Sequence, residues 1–243
     1  LYRLEGRTVH ADVFPIGIDA AAFIEEARQA PDEDRVRSLT GARLMIGVDR
    51  LDYSKGIPQR LRAYQLLLEN DPDLIEQISF LQIAPPTRES VAAYQDIREE
   101  TENLAGRING QFATLNWTPI RYIHRPFPRR VLAGLYRQAL IGLVTPLADG
   151  MNLVAKEFVA AQDVVNPGVL ILSRFAGAAE TMTEALIINP HDPHEMSEAM
   201  ADAIHMTPKE RRRRHSALLQ GVIECDVGWW SATYLAALAE AAA

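Results

Sequence analysis

Cysteine is almost missing from this chain, because Cys225 is the one cysteine among 243 residues. No internal disulfide can form, and such low cysteine content is typical of a reducing compartment, so we expect a cytoplasmic protein. Positive charge is also scarce: 25 lysine and arginine residues face 32 aspartate and glutamate residues, which gives a formal net charge of −7. That balance argues against nucleic acid as a partner.

Two further absences narrow the class of protein. No apolar run approaches transmembrane length and no signal peptide is visible, so we expect no membrane partner. No G-x-G-x-x-G fingerprint follows the first strong strand, which argues against a dinucleotide oxidoreductase. The chain begins Leu1-Tyr2-Arg3 without a methionine, and we expect it to be part of a longer protein.

The apolar pattern is that of a globular α/β protein, with 48% hydrophobic and 23% charged residues. From residue 43 to residue 205, short apolar runs alternate with segments of helical period, which predicts a parallel, doubly wound, Rossmann-like sheet. Outside the strong strands, the pattern predicts a strand over residues 8–14, helical structure over residues 21–39 and a long helix over residues 87–110.

The most informative stretch follows a predicted buried strand at residues 140–146. The chain turns at Asp149-Gly150 and begins a helix near Asn152. Ligands of open α/β sheets bind at this end of the strands, and the first N–H groups of a helix attract anions. Asp149 can accept hydrogen bonds from sugar hydroxyls, and Glu157 can bridge two adjacent hydroxyls. The stretch therefore suits a sugar nucleotide, although a plain turn with an N-cap and a first-turn acid has the same pattern.

Three cations lie near two other predicted helix starts. Arg50 and Lys55 follow the strand at residues 43–48. The planar guanidinium of an arginine and the mobile ammonium of a lysine together suit two phosphates. The alternative is that both are solvated loop charges. Arg88 lies in the first turn of the next helix, where it opposes the helix dipole. Taken alone, Arg88 fits a phosphate site and an exposed arginine equally well.

Three other motifs are interpreted as structural. His191-Asp192-Pro193-His194 has metal-ligand residues but no third ligand, and Asp-Pro is a turn signal. The basic run at residues 211–214 is typical of a solvated helix face in an acidic chain. Trp229-Trp230 begins an apolar helix and is expected to anchor packing.

Four motifs occur in a fixed order: VDRLDYSKG at residues 48–56, AGRING at 105–110, DGMNLVAKE at 149–157 and FAGAA at 175–179. Together they resemble the trehalose-6-phosphate synthase family, which are retaining glycosyltransferases with two Rossmann domains (the GT-B architecture). The match runs from about Val13 to the C-terminus. The resemblance implies transfer of glucose from UDP-glucose to glucose 6-phosphate, giving α,α-trehalose 6-phosphate and UDP, with no cofactor and no metal.

The resemblance also assigns roles to individual residues. Arg50 and Lys55 match the cations that bind the donor diphosphate and stabilise the leaving group. Phe127 matches a residue lining the uracil pocket, and Arg88 matches the arginine that binds the acceptor phosphate. The donor-binding stretch comprises Asp149, Gly150, Met151, Asn152, Leu153, Val154, Ala155, Lys156 and Glu157.

The resemblance covers only the C-terminal half of the family's architecture. Residues 1–20 resemble the last strand of the N-terminal domain and the hinge, residues 21–228 the UDP-sugar-binding domain, and residues 229–243 a helix that crosses back to the N-terminal domain. That domain supplies most acceptor contacts, so we expect the isolated chain to be inactive. At full length we expect a homo-oligomer.

Two alternative functions are consistent with the same residues. The first is a pseudo-glycosyltransferase that joins a nucleotide-linked cyclitol to a phosphorylated amino-cyclitol, which an assay with both donors would distinguish. The second is a non-catalytic module that binds a sugar nucleotide. The intact set of Arg50, Lys55 and Glu157 argues against the second, whereas the missing half keeps it open.

Overall fold

The computed structural model of the protein describes residues 2–4, 7–9, 11–30, 43–87 and 92–242. Arg88 and the part of the predicted helix beyond residue 30 therefore lie outside the described residues. No helix in the described part of the chain is long and apolar enough to cross a membrane.

A small antiparallel hairpin precedes the main domain. Its strands are β1 (Tyr2–Leu4) and β2 (Arg7–Val9). The prediction of a strand over residues 8–14 was wrong in its extent, because residues 11–19 have no regular structure. The described pairing fits this difference: Val9 is opposite Tyr2, the first described residue, so no described residue of β1 is left to pair beyond Val9.

Six parallel strands form the central sheet, which confirms the predicted α/β class. They are β3 (Arg43–Val48), β4 (Ile78–Ile83), β5 (Ile120–Ile123), β6 (Ile141–Val144), β7 (Val169–Ser173) and β8 (Leu186–Ile188). Their order across the sheet is β5-β4-β3-β6-β7-β8. The order reverses between β3 and β6, and in such sheets this switch point is where ligands bind.

Helices cover both faces of the sheet. They are α1 (Ala20–Arg28), α2 (Ile57–Asn70), α3 (Ala92–Phe112), α4 (Arg129–Gln138), α5 (Leu153–Ala161), α6 (Pro193–His205), α7 (Pro208–Glu224) and α8 (Val227–Ala242). Helices α2, α3 and α6 pack together on one face, and α1, α4, α5 and α7 on the other. The doubly wound architecture is thereby confirmed.

The apolar side chains of each central strand alternate between two cores. In β3, Leu44 and Ile46 belong to the core under α1, α4 and α5, whereas Met45 belongs to the core under α2 and α6. Strand β7 divides its side chains in the same way. This two-sided burial is why the strands read as continuous apolar runs in the sequence.

The segment at residues 11–19 is held against the C-terminal part of the chain. Trp230 donates its indole N–H to the carbonyl of Phe14 at 3.1 Å and stacks on Tyr234, as expected of a packing anchor, whereas Trp229 is 40% exposed. The Val227 backbone N–H donates to Ile18 O at 3.0 Å, and Lys156 Nζ donates to Ile16 O at 2.8 Å. The start of α8 and the middle of α5 therefore fix the path by which the chain enters the domain.

Candidate functional site

The loops that follow β3 and β6 lie side by side at the switch point. The Leu147 N–H donates to Ser54 O at 2.7 Å and joins the two loops directly. Gly56 has φ +66°, and a Cβ atom at this position would lie 2.5 Å from Thr145 O. Only glycine combines this left-handed backbone with so close an approach. The two loops therefore form one continuous surface at the carboxyl edge of the sheet.

Lys55 and Asp149 meet across this surface. Lys55 Nζ lies 2.5 Å from Asp149 Oδ2, and the two side chains are 14% and 19% exposed. The residues are 94 positions apart in the sequence and come from two separate motifs. The fold therefore brings together the cation of the first loop and the carboxylate of the second.

The backbone around Asp149 is fixed by the loop that follows β7. The Asp149 N–H donates to Phe175 O, and Asp149 O accepts from the Gly177 N–H, both at 3.0 Å. A Cβ atom on Gly177 would lie 2.1 Å from Gly150 O. The lack of a side chain at Gly177 therefore lets the two loop backbones approach closely.

Helix α5 begins at Leu153, close to the predicted position, but Asn152 does not cap it with its side chain. Asn152 instead has φ +76° and donates from Nδ2 to Asp149 Oδ2 at 3.1 Å. The side chain is therefore turned toward the carboxylate and away from the helix start. Asn152 Oδ1 is buried and has no hydrogen-bond partner in the described part of the chain. An unpaired buried acceptor beside a helix N-terminus fits a site that takes a hydrogen-bonding ligand.

A fully buried arginine, which the sequence reading did not single out, lies beneath these loops. Arg60 Nε donates to Thr145 Oγ1 and Arg60 Nη1 to Gln82 Oε1, both at 2.9 Å. Arg60 Nη2 lies 2.9 Å from Asp49 Oδ2 and donates to Lys55 O at 3.4 Å. One guanidinium thus ties together the ends of β3, β4 and β6 and the backbone of Lys55.

The charges around Asp49 work in opposite directions. Burial raises the pKa of the Asp49 carboxyl, whereas the nearby Arg60 and Lys55 lower it and Asp149 raises it. The net direction is upward because the carboxyl is fully desolvated. Asp49, Lys55 and Asp149 therefore interact electrostatically, and a change in the charge of one affects the others.

Arg50 is exposed at the rim of the same surface, on the side of β4. Arg50 Nη1 lies 3.5 Å from Thr87 Oγ1, the last described residue before the gap that contains Arg88. Nearby, burial favours a higher pKa for Asp52, but hydrogen bonds from Ser54 and Tyr94 and the charge of Arg50 lower it overall. Asp52 is therefore ionised and orients the turn that carries Lys55.

Glu157 lies one turn into α5 in a partly buried environment. Burial raises the pKa of the Glu157 carboxyl, the charge of Arg129 lowers it, and Glu26 raises it. Lys156 points away from the loop surface, because its Nζ is bonded to Ile16 O, and burial lowers its pKa. Phe127 packs against the core near the end of β5, with the Arg125 guanidinium 4.8 Å from its ring centroid.

The motifs interpreted as structural have structural partners. Asp192 caps α6 by accepting from the backbone N–H groups of His194 and Glu195. No cluster of three or more potential metal ligands occurs among the described residues. In the basic run Arg212 and Arg213 are exposed, as expected of a solvated helix face, whereas Arg211 and Arg214 are half-buried and donate to the carbonyls of Pro167 and Glu184.

The fold and the site define a Rossmann-like α/β domain with a polar, charged surface at its switch point. The chain belongs to glycosyltransferase family 20, whose family model matches residues 1–240. It is 47% identical over 237 residues to a trehalose-6-phosphate synthase of Klebsiella pneumoniae, a match that covers 96% of this chain and 50% of the relative. The chain thus spans about half the length of the curated relatives it matches.

Two solved structures show the same fold. An alpha,alpha-trehalose-phosphate synthase (UDP-forming) from Burkholderia xenovorans, in complex with glucose-6-phosphate, is 49% identical with a TM-score of 0.94, and the match covers 97% of this chain and 53% of that one. A trehalose-6-phosphate protein from E. coli, bound with UDP-2-fluoro glucose, is 44% identical with a TM-score of 0.93, and the match covers 96% and 53%.

Proposed function

We propose that the protein is the donor-binding part of a retaining glycosyltransferase that moves glucose from UDP-glucose to glucose 6-phosphate, forming α,α-trehalose 6-phosphate and UDP. The observation that carries the proposal is the meeting of Lys55 and Asp149 at the switch point of the sheet. The similarity to trehalose-6-phosphate synthases supports the choice of reaction. The ligands named for the two solved relatives, glucose-6-phosphate and UDP-2-fluoro glucose, support the choice of substrates.

In this proposal Arg50 and Lys55 bind the donor diphosphate. The bond between the glucose anomeric carbon and the diphosphate oxygen breaks, which leaves negative charge on UDP. Preorganised cations stabilise that charge, so no metal is required. The acceptor hydroxyl forms its bond to the anomeric carbon on the face that UDP leaves, and its proton passes to the leaving phosphate. The configuration at the anomeric carbon is thereby retained.

The rest of the donor is assigned to the loop after β6 and the start of α5. We propose that Asp149, with the backbone of residues 150–152, binds the glucose hydroxyls. The free N–H groups at the start of α5, at residues 153–156, face the phosphates, and Glu157 accepts from the ribose hydroxyls. Lys156 can take part only through its backbone, because its side chain is bonded to Ile16 O. Phe127 lines the uracil pocket, and Arg88 binds the acceptor phosphate.

We further propose the domain division given by the resemblance, with residues 1–20 as the end of an N-terminal domain and its hinge. Helix α8 would then cross back to that domain. The exposed apolar side chains of α8 support this assignment, since an uncovered face of this kind is typical of a contact surface. They are Val227, Tyr234, Leu235 and Leu238. The location proposed for the whole protein is the cytoplasm, and the proposed assembly is a homo-oligomer.

A chimeric enzyme tests the proposed reaction. The chain is joined to the N-terminal half of the Klebsiella pneumoniae relative and incubated with UDP-glucose and glucose 6-phosphate. We expect release of UDP and an α,α-linked product in proton NMR spectra. The Lys55→Met chimera should turn over about a hundredfold more slowly or worse, as for loss of one preorganised donor. A folded chimera that binds UDP but releases none with glucose 6-phosphate would contradict the proposal, as would full turnover by Lys55→Met.

A further inference from the structure

The ion pair between Lys55 and Asp149 occupies the place where the proposed function puts the donor diphosphate. Both side chains are largely buried, and Lys55 Nζ is 2.5 Å from Asp149 Oδ2. A lysine ammonium carries a single positive charge and three N–H donors, so a carboxylate and a diphosphate that both contact it share that charge and those donors. An incoming diphosphate therefore has to compete with Asp149 for Lys55.

The two partners differ in their freedom to move. The Asp149 backbone is bonded at both its N–H and its carbonyl, and its carboxylate also accepts from Asn152. Lys55 has a long, flexible side chain, and its ammonium makes no other hydrogen bond to the described residues. When an anion arrives, Lys55 is thus the group that swings, and Asp149 stays beside the bound phosphates as an uncompensated carboxylate.

The cost of leaving Asp149 uncompensated depends on what the ligand carries. Free UDP takes Lys55 away and brings a second negative group close to Asp149, and it offers no hydroxyl at this point. A UDP-sugar takes Lys55 in the same way, but its sugar hydroxyls donate to the released carboxylate. Asp149 therefore lowers the affinity for free UDP more than it lowers the affinity for a UDP-sugar.

We infer that Asp149 is a specificity-determining residue that discriminates against free UDP by competing with the diphosphate for Lys55. This inference rests on the proposed function, since it takes the same loops as the donor site. In catalysis Asp149 recaptures Lys55 once the sugar has been transferred, and this recapture promotes release of UDP. The same carboxylate thus binds the sugar hydroxyls when the donor is bound and Lys55 when the site is free.

The test is calorimetric titration of UDP and of UDP-glucose into the protein and its Asp149→Asn variant. Asparagine keeps the shape of the side chain and removes the charge that holds Lys55. We expect Asp149→Asn to bind UDP about tenfold more tightly than the wild type. The dissociation constant for UDP divided by that for UDP-glucose should therefore fall by about the same factor or more. UDP affinity that is unchanged or weaker in Asp149→Asn would overturn the inference.

Two controls keep the outcomes separate. Glu180→Gln removes an exposed carboxylate from the loop that follows β7. Strand β7 is the neighbour of β6 in the sheet, so this loop lies at the same edge as Asp149. Equal tightening by Glu180→Gln would show a general charge effect and overturn the inference. The chain has three lysines, so [15N]lysine labelling gives three side-chain signals, and only that of Lys55 should move in Asp149→Asn. Absence of UDP binding by the wild type would instead reject the proposed function itself.

Discussion

The guanidinium of Arg60 lies 2.9 Å from the carboxylate of Asp49, and their side chains are 0% and 2% exposed. This pair is buried directly under the loop that carries Lys55, whose carbonyl oxygen also accepts from Arg60. Removing one partner of a buried ion pair leaves a desolvated charge behind, and this costs far more than loss of a surface pair.

We therefore expect Arg60→Met to lower the free energy of unfolding by ~3–5 kcal/mol. Adding Asp49→Asn should recover part of that loss, because the abandoned carboxylate is then neutral. The matched control is Arg62→Met in the same helix, where the arginine is 42% exposed and pairs with Glu100. It should cost less than ~1 kcal/mol. Urea unfolding of the wild type, the two single variants and the double variant measures these free energies. Equally small losses of stability in Arg60→Met and Arg62→Met would show that the buried pair does not stabilise the fold.

Two glycines of α3 have room for a methyl group. A Cβ atom at Gly106 or Gly110 would have no neighbour within 4 Å among the described residues. Glycine inside a helix lowers stability relative to alanine, so each Gly→Ala change should raise the free energy of unfolding by ~0.5–1 kcal/mol. Gly47→Ala is the contrasting variant, because its Cβ would lie 2.3 Å from Arg60 Nη1. Thermal unfolding should show that Gly47→Ala is clearly less stable than the wild type. Loss of stability in Gly106→Ala and Gly110→Ala would contradict the expected gain from alanine in α3.

Glu157 should make the stability of the protein depend on pH, and it should also strengthen the binding of UDP. Burial raises its pKa in the folded protein, so the stabilising contribution of this group is present below the unfolded value and is lost as pH rises through the folded one. Glu157→Gln should therefore be more stable than wild type at pH 8, with the difference disappearing toward acidic pH. The same variant should lose ~1.5–3 kcal/mol of UDP binding, because it lacks the charged acceptor for the ribose. Thermal unfolding across pH checks the first part, and a wild type that is more stable at pH 8 would contradict it.

The parts of the fold that follow from local pattern could be predicted from the sequence. The buried strands and the helix start near Asn152 depend on apolar period and turn residues, and both were located correctly. The conformation of Asn152 could not be predicted in the same way. Its side chain is turned from the helix end toward Asp149, and that choice depends on the loop contacts of the folded chain.

Arg60 was missed although a signal was present. Ile57, Leu61, Tyr64 and Leu68 form the apolar stripe of α2, and Arg60 lies on the same stripe, one turn after Ile57. A charged residue at a core position of an amphipathic helix indicates a buried partner, because an unpaired charge would be costly there. The identity of the partners could not be read from this period, since Asp49, Gln82 and Thr145 are brought together only by the sheet order.

We propose that the switch point binds the diphosphate of a nucleotide sugar, and titration of UDP into the protein shows whether it does. Wild type, Lys55→Met and Lys209→Met are compared, the last of which removes an exposed lysine at the start of α7. We expect the wild type and Lys209→Met to bind UDP alike, and Lys55→Met to bind about tenfold more weakly or worse, as for loss of one charged contact. No UDP binding by the wild type, or equal losses of affinity in the two lysine variants, would contradict a diphosphate site at Lys55.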